Sequence, residues 1–375
     1  MLCDQNKCTG CFACYNICPK NAIEMVEDSN GFIFPNIKEE KCVKCGMCQR
    51  VCPSIKMVEK NQEQKCYAMY SKNNQIRENS TSGGIATTFS EHVIRAGGIV
   101  YGASYTKGCN VQHIRVDNLE DLKRLQGSKY VHSYINDTYK KVKKDLVETN
   151  KCVLFIGTPC QVAGLKGFLG KEYDNLIMVD IICHGVPSQK YLKEEVKRLN
   201  NGSLDIDRVN FRNCNQYGFY IINNGELTYG EIMEESPYCD AFMKALSLRE
   251  KCYNCDYANS LRISDITIGD FWGLSQESKF YEERHKGVST VIVSTQKGKD
   301  FLNRQQNNFF IEDRPYSESV NGNSQLKSPS PKNKNADKFK KDYERFGFMK
   351  AYKNNTVFDR AKRNIKKSIK YLIRK

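Results

Sequence analysis

Eight cysteines in two copies of one frame constrain this chain more than any other feature. Residues 8–19 read CTGCFACYNICP and residues 42–53 read CVKCGMCQRVCP, each of the form C-x2-C-x2-C-x3-C-P. Cys8 and Cys42 lie 34 residues apart, as do Cys18 and Cys52, so the repeat is in register. This is the run that ligates [4Fe–4S] clusters. Three thiolates on one tight loop cap three iron corners of a cubane, and the fourth, stopped by proline, reaches the cluster of the other half. The frame therefore assigns Cys8, Cys11, Cys14 and Cys52 to one cluster, and Cys42, Cys45, Cys48 and Cys18 to the other. Disulfides would suit a small secreted domain, and the opening MLCDQNKC lacks the apolar stretch of a signal peptide. Zinc needs four ligands per site but explains neither the x2-x2-x3 rhythm nor the swapped cysteine.

Over about residues 1–60 the chain resembles the bacterial two-cluster ferredoxins. The remainder of the 375 residues is enough for one larger domain or two modest ones, and 40% apolar content is ample for a core. No run approaches the length of a membrane span; LIMVDIIC (176–183) is short and carries Asp180. Eighteen cysteines without an export signal are expected to be reduced thiols and metal ligands in a cytoplasm. The net charge of +15 is unevenly placed. Residues 327–375 hold seventeen Lys and Arg against four Asp and Glu, which leaves only +2 for the rest. Each oxidised cubane adds roughly −2, so the redox body is expected to be neutral or acidic, with no nucleic-acid partner.

A polar connector, KMVEKNQEQK (56–65), follows the cysteine module. Strand-like runs at 97–105, 152–157, 176–183, 265–271 and 288–295 then alternate with helix-like runs at 118–126, 135–148 and 188–200. YIINNGELTYG (220–230) reads as a hairpin turning at Asn-Gly. The expected fold is an α+β ferredoxin-like module followed by an α/β domain with a mixed, largely parallel sheet. The domains expected are 1–60, 66–315, a Pro/Ser/Asn-rich linker or exposed loop at 316–336, and a basic amphipathic tail at 337–375.

A second set of cysteines emerges from this pattern. In CVLFIGTPCQ the strand ends at Gly157, Thr158 can cap a helix, Pro159 suits its first position, and Cys160 sits at its start. One β-α unit later LIMVDIIC ends at Cys183, before HGVPS. If the two strands are parallel, a right-handed crossover brings both carboxyl ends to one edge of the sheet, the edge where open α/β sheets bind ligands. CYNC adds Cys252 and Cys255. Four such thiols suit a third [4Fe–4S] cluster or a structural zinc; two clusters upstream favour iron, which would extend an electron path into the body. Cys3, Cys66, Cys109, Cys152, Cys214 and Cys239 are isolated and are assigned no role.

One-electron clusters meet two-electron substrates through a flavin. The chain has no G-x-G-x-x-G, but STSGGIATTF (80–89) could aim backbone N–H groups at a phosphate. GSKYVHS (127–133) offers Lys129. His184, beside Cys183, is either a proton donor or a structural histidine.

The segments TSGGI, GSKYVHS, GTPCQVAGL, DIICHGVPS, CYNCDYA and SDITIGDFWG occur in this order. Together they resemble the coenzyme F420 hydrogenase/dehydrogenase beta-subunit family over roughly residues 66–310. The resemblance implies an FAD site lined by Thr81, Ser82, Gly83, Gly84, Lys129 and Tyr130, with Gly157 and Thr158 from the third segment. It also implies a [4Fe–4S] cluster on Cys160, Cys183, Cys252 and Cys255. The function it implies is an iron–sulfur flavoprotein oxidoreductase serving a two-electron partner. That partner is the deazaflavin F420 or another small substrate, including one in surface-polysaccharide synthesis. The alternative is a non-catalytic electron-transfer subunit that docks to a redox partner protein. No side chain is singled out as catalytic. In the tail, Phe358, Ala361, Ile365, Ile369 and Leu372 fall on one helix face. They form either a peripheral contact with the inner membrane surface or a stripe packed on the body.

Overall fold

The computed structural model describes residues 2–213 and 216–356. The 34-residue repeat reappears in its backbone. Gly10 and Lys44, equivalent positions of the two cysteine loops, have φ of +68° and +52°, and Phe12 and Gly46 have +63° and +71°. Residues of positive φ alternating with residues of negative φ turn N–H groups inward, a kind of concavity used by anions and iron–sulfur sites. Each loop runs into a short helix, Ala13–Ile17 or Met47–Arg50, and an antiparallel hairpin of Ile23–Glu27 and Ile33–Ile37 lies between them.

The body is built on an eight-stranded sheet. Its order is Phe309–Asp313, Lys65–Ser71, Ser289–Val293, Ile266–Asp270, Leu176–Ile181, Val153–Gly157, Ile99–Thr106 and Asn110–Val116. The central four, from Ile266–Asp270 to Ile99–Thr106, are parallel, and the flanking pairs are antiparallel. Unbroken apolar runs such as Val153–Gly157 sit at the centre because helices cover both faces there. A separate three-stranded antiparallel sheet contains Arg208–Asn213, Gln216–Asn223 and Glu226–Ile232. Its Asn224-Gly225 turn is left-handed at both residues, as Asn-Gly demands.

The N-terminal module is not strung on a free connector. Phe12, Ala13 and Ile33 share a core with Phe155, Val162 and Leu165 of the body, and Phe32 shares another with Tyr191 and Phe339. Within 56–65, Asn61 bridges to Arg262. Helix Pro159–Leu169 presents Gly164 and Gly167 to the module. A Cβ on Gly164 would stand 3.1 Å from the Cys11 sulfur, and one on Gly167 only 2.5 Å from the Val51 carbonyl oxygen. Gly167→Val is therefore expected to cost ~1–3 kcal/mol by overpacking, read as a lower Tm in anaerobic thermal unfolding. An unchanged Tm would contradict this close contact.

Two expectations need correction. Residues 316–336 are not an exposed linker: helix Tyr316–Gly322 and the turn Ser324–Leu326 pack on the body, with Ser319 and Leu326 buried. Their polar side chains bond inward; Asn323 donates to the Asp270 carbonyl and Ser330 to that of His184 at 2.6 Å. The basic tail does not begin at 337 either. Helix Ala336–Phe346 and the helical residues 348–356 place Phe339, Tyr343, Phe348 and Ala351 in the core. The stripe Phe358 to Leu372 lies outside the described residues. Among the described residues no helix is long and apolar enough to cross a membrane.

Candidate functional site

Three groups of neighbouring cysteines are present. Cys8, Cys11, Cys14 and Cys52 line one small cavity. Burial pushes the Cys11 thiol up to about 12, and Cys52 and Cys8 add to the effect. Cys14 is raised by burial and by Cys11, Cys8 and Cys52. Cys3, which its sequence position leaves isolated, joins this wall. A hydrogen bond from its thiol lowers Cys8 to about 6 and Cys52 to about 7. In the second group burial raises Cys48, with Cys45 and Cys18 as neighbours. The Cys18 sulfur accepts the Ala22 N–H at 3.2 Å. This group is the open one: Cys45 is exposed and Cys42 half-buried.

The body group depends on the sheet. Strands Val153–Gly157 and Leu176–Ile181 are parallel, so Cys160 and Cys183 emerge at the same edge. Thr158 caps helix Pro159–Leu169 in a reciprocal capping box with Gln161, which holds Cys160 in the first turn. Cys252 lies in the turn Glu250–Asn254 and Cys255 follows it. Burial raises Cys160 to about 12 and Cys252 to about 11, with Cys255 a neighbour of both. Burial likewise raises Cys183, which neighbours Cys252, Cys160 and Cys255. Four crowded, half-buried thiols ionise together only around a positive core, so this donor set fits a multi-iron cubane. Among the described residues no three His, Cys, Asp or Glu side chains converge as on a single ion, and none of the described cysteines is in a disulfide. Cys11 also feels Cys160, so the first N-terminal group and the body group are neighbours.

A cavity of about 840 Å³ opens beside the body group, within the range of small-molecule sites. Thr81, Ser82, Gly84, Lys129, Tyr130, Gly157 and Thr158 all line it, and so does Cys183. Gly84, at φ +81°, starts helix Ile85–Arg95 without a side-chain cap. The first-turn residues Ile85, Ala86 and Thr87 also face the cavity, so that helix end favours negative charge there. Thr81 accepts the Ser128 N–H at 2.8 Å and thereby joins the two loops.

Three of the expected contacts differ in kind. Gly83 does not line the cavity; it packs behind it, against the Met69 carbonyl and Ser289. The Lys129 ammonium donates to the carbonyls of Leu125, Gln126 and Gly127 at 3.0, 2.9 and 3.0 Å. Its N–H groups therefore shape the loop, and burial lowers its pKa to about 7 although those carbonyls favour the charged form. The Tyr130 ring is stacked between Phe211 and Phe242, at 4.7 and 5.0 Å, which anchors its segment. His184 lines the cavity, and burial keeps it neutral.

Sequence reasoning missed Asp270, Tyr217, Trp272 and His113, all in the cavity wall. Burial raises the Asp270 carboxyl, while hydrogen bonds from Ser82 and Tyr217 draw it back. Trp272, the only tryptophan of the chain, is 62% exposed and faces Tyr217 at 5.8 Å. The motif GDFWG carried the first and third of these in plain view. His113 bonds Ser133 and the Ile156 carbonyl at 2.9 and 3.0 Å and gave no local signal.

Comparison with curated proteins finds no match. A solved chain of the F420-reducing [NiFe] hydrogenase complex from Methanosarcina barkeri, from a xenon derivatization study, is similar at 19% identity. The similarity covers 78% of this chain and 91% of that chain, with a TM-score of 0.47. The family model of the 4Fe-4S dicluster domain matches residues 7–55. The model of the C terminus of the coenzyme F420 hydrogenase/dehydrogenase beta subunit matches residues 150–319. Over residues 7–55 the chain is thus similar to a 4Fe-4S dicluster domain, and over residues 150–319 to the C terminus of the coenzyme F420 hydrogenase/dehydrogenase beta subunit.

Proposed function

We propose that this chain is an iron–sulfur flavoprotein oxidoreductase. It would pass electrons between the two N-terminal clusters, a third [4Fe–4S] cluster on Cys160, Cys183, Cys252 and Cys255, and FAD in the 840 Å³ cavity. One observation carries this reading: Cys183 belongs both to the body thiols and to the cavity wall. A bound flavin supplies the exchange between one-electron clusters and a two-electron partner. The residues present fit that group. The start of helix Ile85–Arg95 offers N–H groups to a phosphate, and Ser82 and Asp270 offer a hydrogen-bonded polar edge. Exposed Trp272 offers a flat apolar face at the cavity. The two-electron partner is a deazaflavin such as F420 or another small substrate.

Anaerobic purification with iron, sulfide and flavin measured per chain tests this. About twelve irons and one flavin are expected; about eight irons with one zinc would revise the body site. Adding FAD to flavin-free protein should quench the fluorescence of the single tryptophan, Trp272. Full iron with no quenching and no bound flavin would leave instead an electron-transfer subunit that docks to a partner oxidoreductase.

A further inference from the structure

We propose that Arg249 is the shared counter-ion of two iron–sulfur sites, the Cys8, Cys11, Cys14, Cys52 group and the body group, and makes both easier to reduce; this rests on the iron–sulfur reading above. Arg249 is only 2% exposed and immediately precedes the Glu250–Asn254 turn that carries Cys252. Its side chain crosses to the N-terminal module. Nη1 donates to the Cys8 carbonyl at 2.9 Å and Nη2 to the Ile33 carbonyl at 2.6 Å. The guanidinium lies 4.6 Å from the Phe34 ring centre. Gly10 of the first cysteine loop approaches so closely that a Cβ there would stand 2.8 Å from Nη2.

The charge itself needs explaining. Nε is buried without a partner, and the polar contacts of Arg249 among the described residues are to carbonyls, which carry no net charge. Burying a cation unpaired is costly, so negative charge must face it. The cluster ligands on both sides would supply it: Nη1 holds the Cys8 backbone on one side, and the Arg249 carbonyl accepts the Cys252 N–H at 2.9 Å on the other. The other groups in its field are Asp28 and Tyr134, which burial raises and Arg249 partly draws back, and His132, which burial keeps neutral.

The consequence for electron transfer follows from charge alone. Reducing a cubane makes it one unit more negative, so a fixed buried cation stabilises the reduced form more than the oxidised form. The guanidinium bonds the backbone of Cys8 and Ile33 and, among the described residues, donates no bond to the open group of Cys42, Cys45, Cys48 and Cys18, so that group lacks this help. Electrons arriving there would be drawn inward, toward the two sites that flank Arg249.

The test is a redox titration of the anaerobic holoprotein, with each reduced cluster followed by its paramagnetic signal. Arg249→Gln should keep its iron and make two of the three clusters harder to reduce, each by at least tenfold in its one-electron equilibrium, about 59 mV. The third should not move. Arg249→Lys should restore most of the shift. Three unchanged clusters, or three that move together, would overturn the proposal. If Arg249→Gln loses iron, Arg249→Lys decides. Iron retained with near-native potentials supports the counter-ion. Iron retained with shifted potentials, or iron lost again, makes Arg249 a structural pin and overturns it. A wild-type protein without iron would instead remove the function proposed above.

Discussion

Replacing Cys252 and Cys255 together with serine is expected to lower iron from about twelve to about eight per chain, with flavin retained. The reason is the partition of the thiols. Both cysteines belong to the body group, which shares no residue with the N-terminal pair, and neither lines the 840 Å³ cavity. Their thiols are raised by burial, so they ionise only with a positive core beside them. Serine hydroxyls are far weaker ligands for iron. Flavin reduction by an electron donor acting at the open Cys45 side should then slow by orders of magnitude, because the relay between module and cavity is missing. Iron that stays at twelve, or a loss of one zinc in place of four irons, would refute the third cluster.

Gly83→Val is expected to weaken flavin binding by tenfold or more while leaving all the iron in place. Gly83 never touches the cavity, yet it holds the turn that does. A Cβ there would stand 2.5 Å from the Met69 carbonyl oxygen and 3.0 Å from the Ser289 hydroxyl, both on sheet strands. Since the sheet cannot yield, the turn must move, and overpacking of this kind costs ~1–3 kcal/mol. Thr81, Ser82 and Gly84 would move with it, and with them the bonds to Ser128 and Asp270. Equilibrium dialysis of FAD, beside an iron assay on the same sample, reads both numbers. Unchanged FAD affinity would show that the turn does not hold the cofactor.

These two cases differ in how far the sequence announced them. The cysteine repeat is chain-local chemistry, so its frame could be read directly, and the backbone repeats it at Gly10, Lys44, Phe12 and Gly46. The body thiols needed one further step, the parallel pairing of two buried strands, which apolar runs and the crossover rule supply. The Asn-Gly hairpin was equally legible. The stretch 316–336 misled because its Ser and Asn content reads as solvent-facing, whereas Asn323 and Ser330 are buried and bond to the backbone of Asp270 and His184. Lys129 misled in the opposite sense: a lysine in a polar loop suggests an anion, but its ammonium is held by three carbonyls of its own loop.

What the sequence determined by itself was the set of iron-binding frames, the α/β order and the loops that would meet at a pocket. The frames and the α/β order follow from spacing and periodicity within a few dozen residues, and the loops from the order of segments that carries the family resemblance. Only the tertiary structure decided that Cys3 joins the first thiol group, that Asp270 and Tyr217 close the pocket, and that Arg249 reaches Cys8 across 241 positions of chain. Each of these contacts joins residues distant in sequence, and its energy comes from burial and charge that exist only once the sheet and the N-terminal module have packed together.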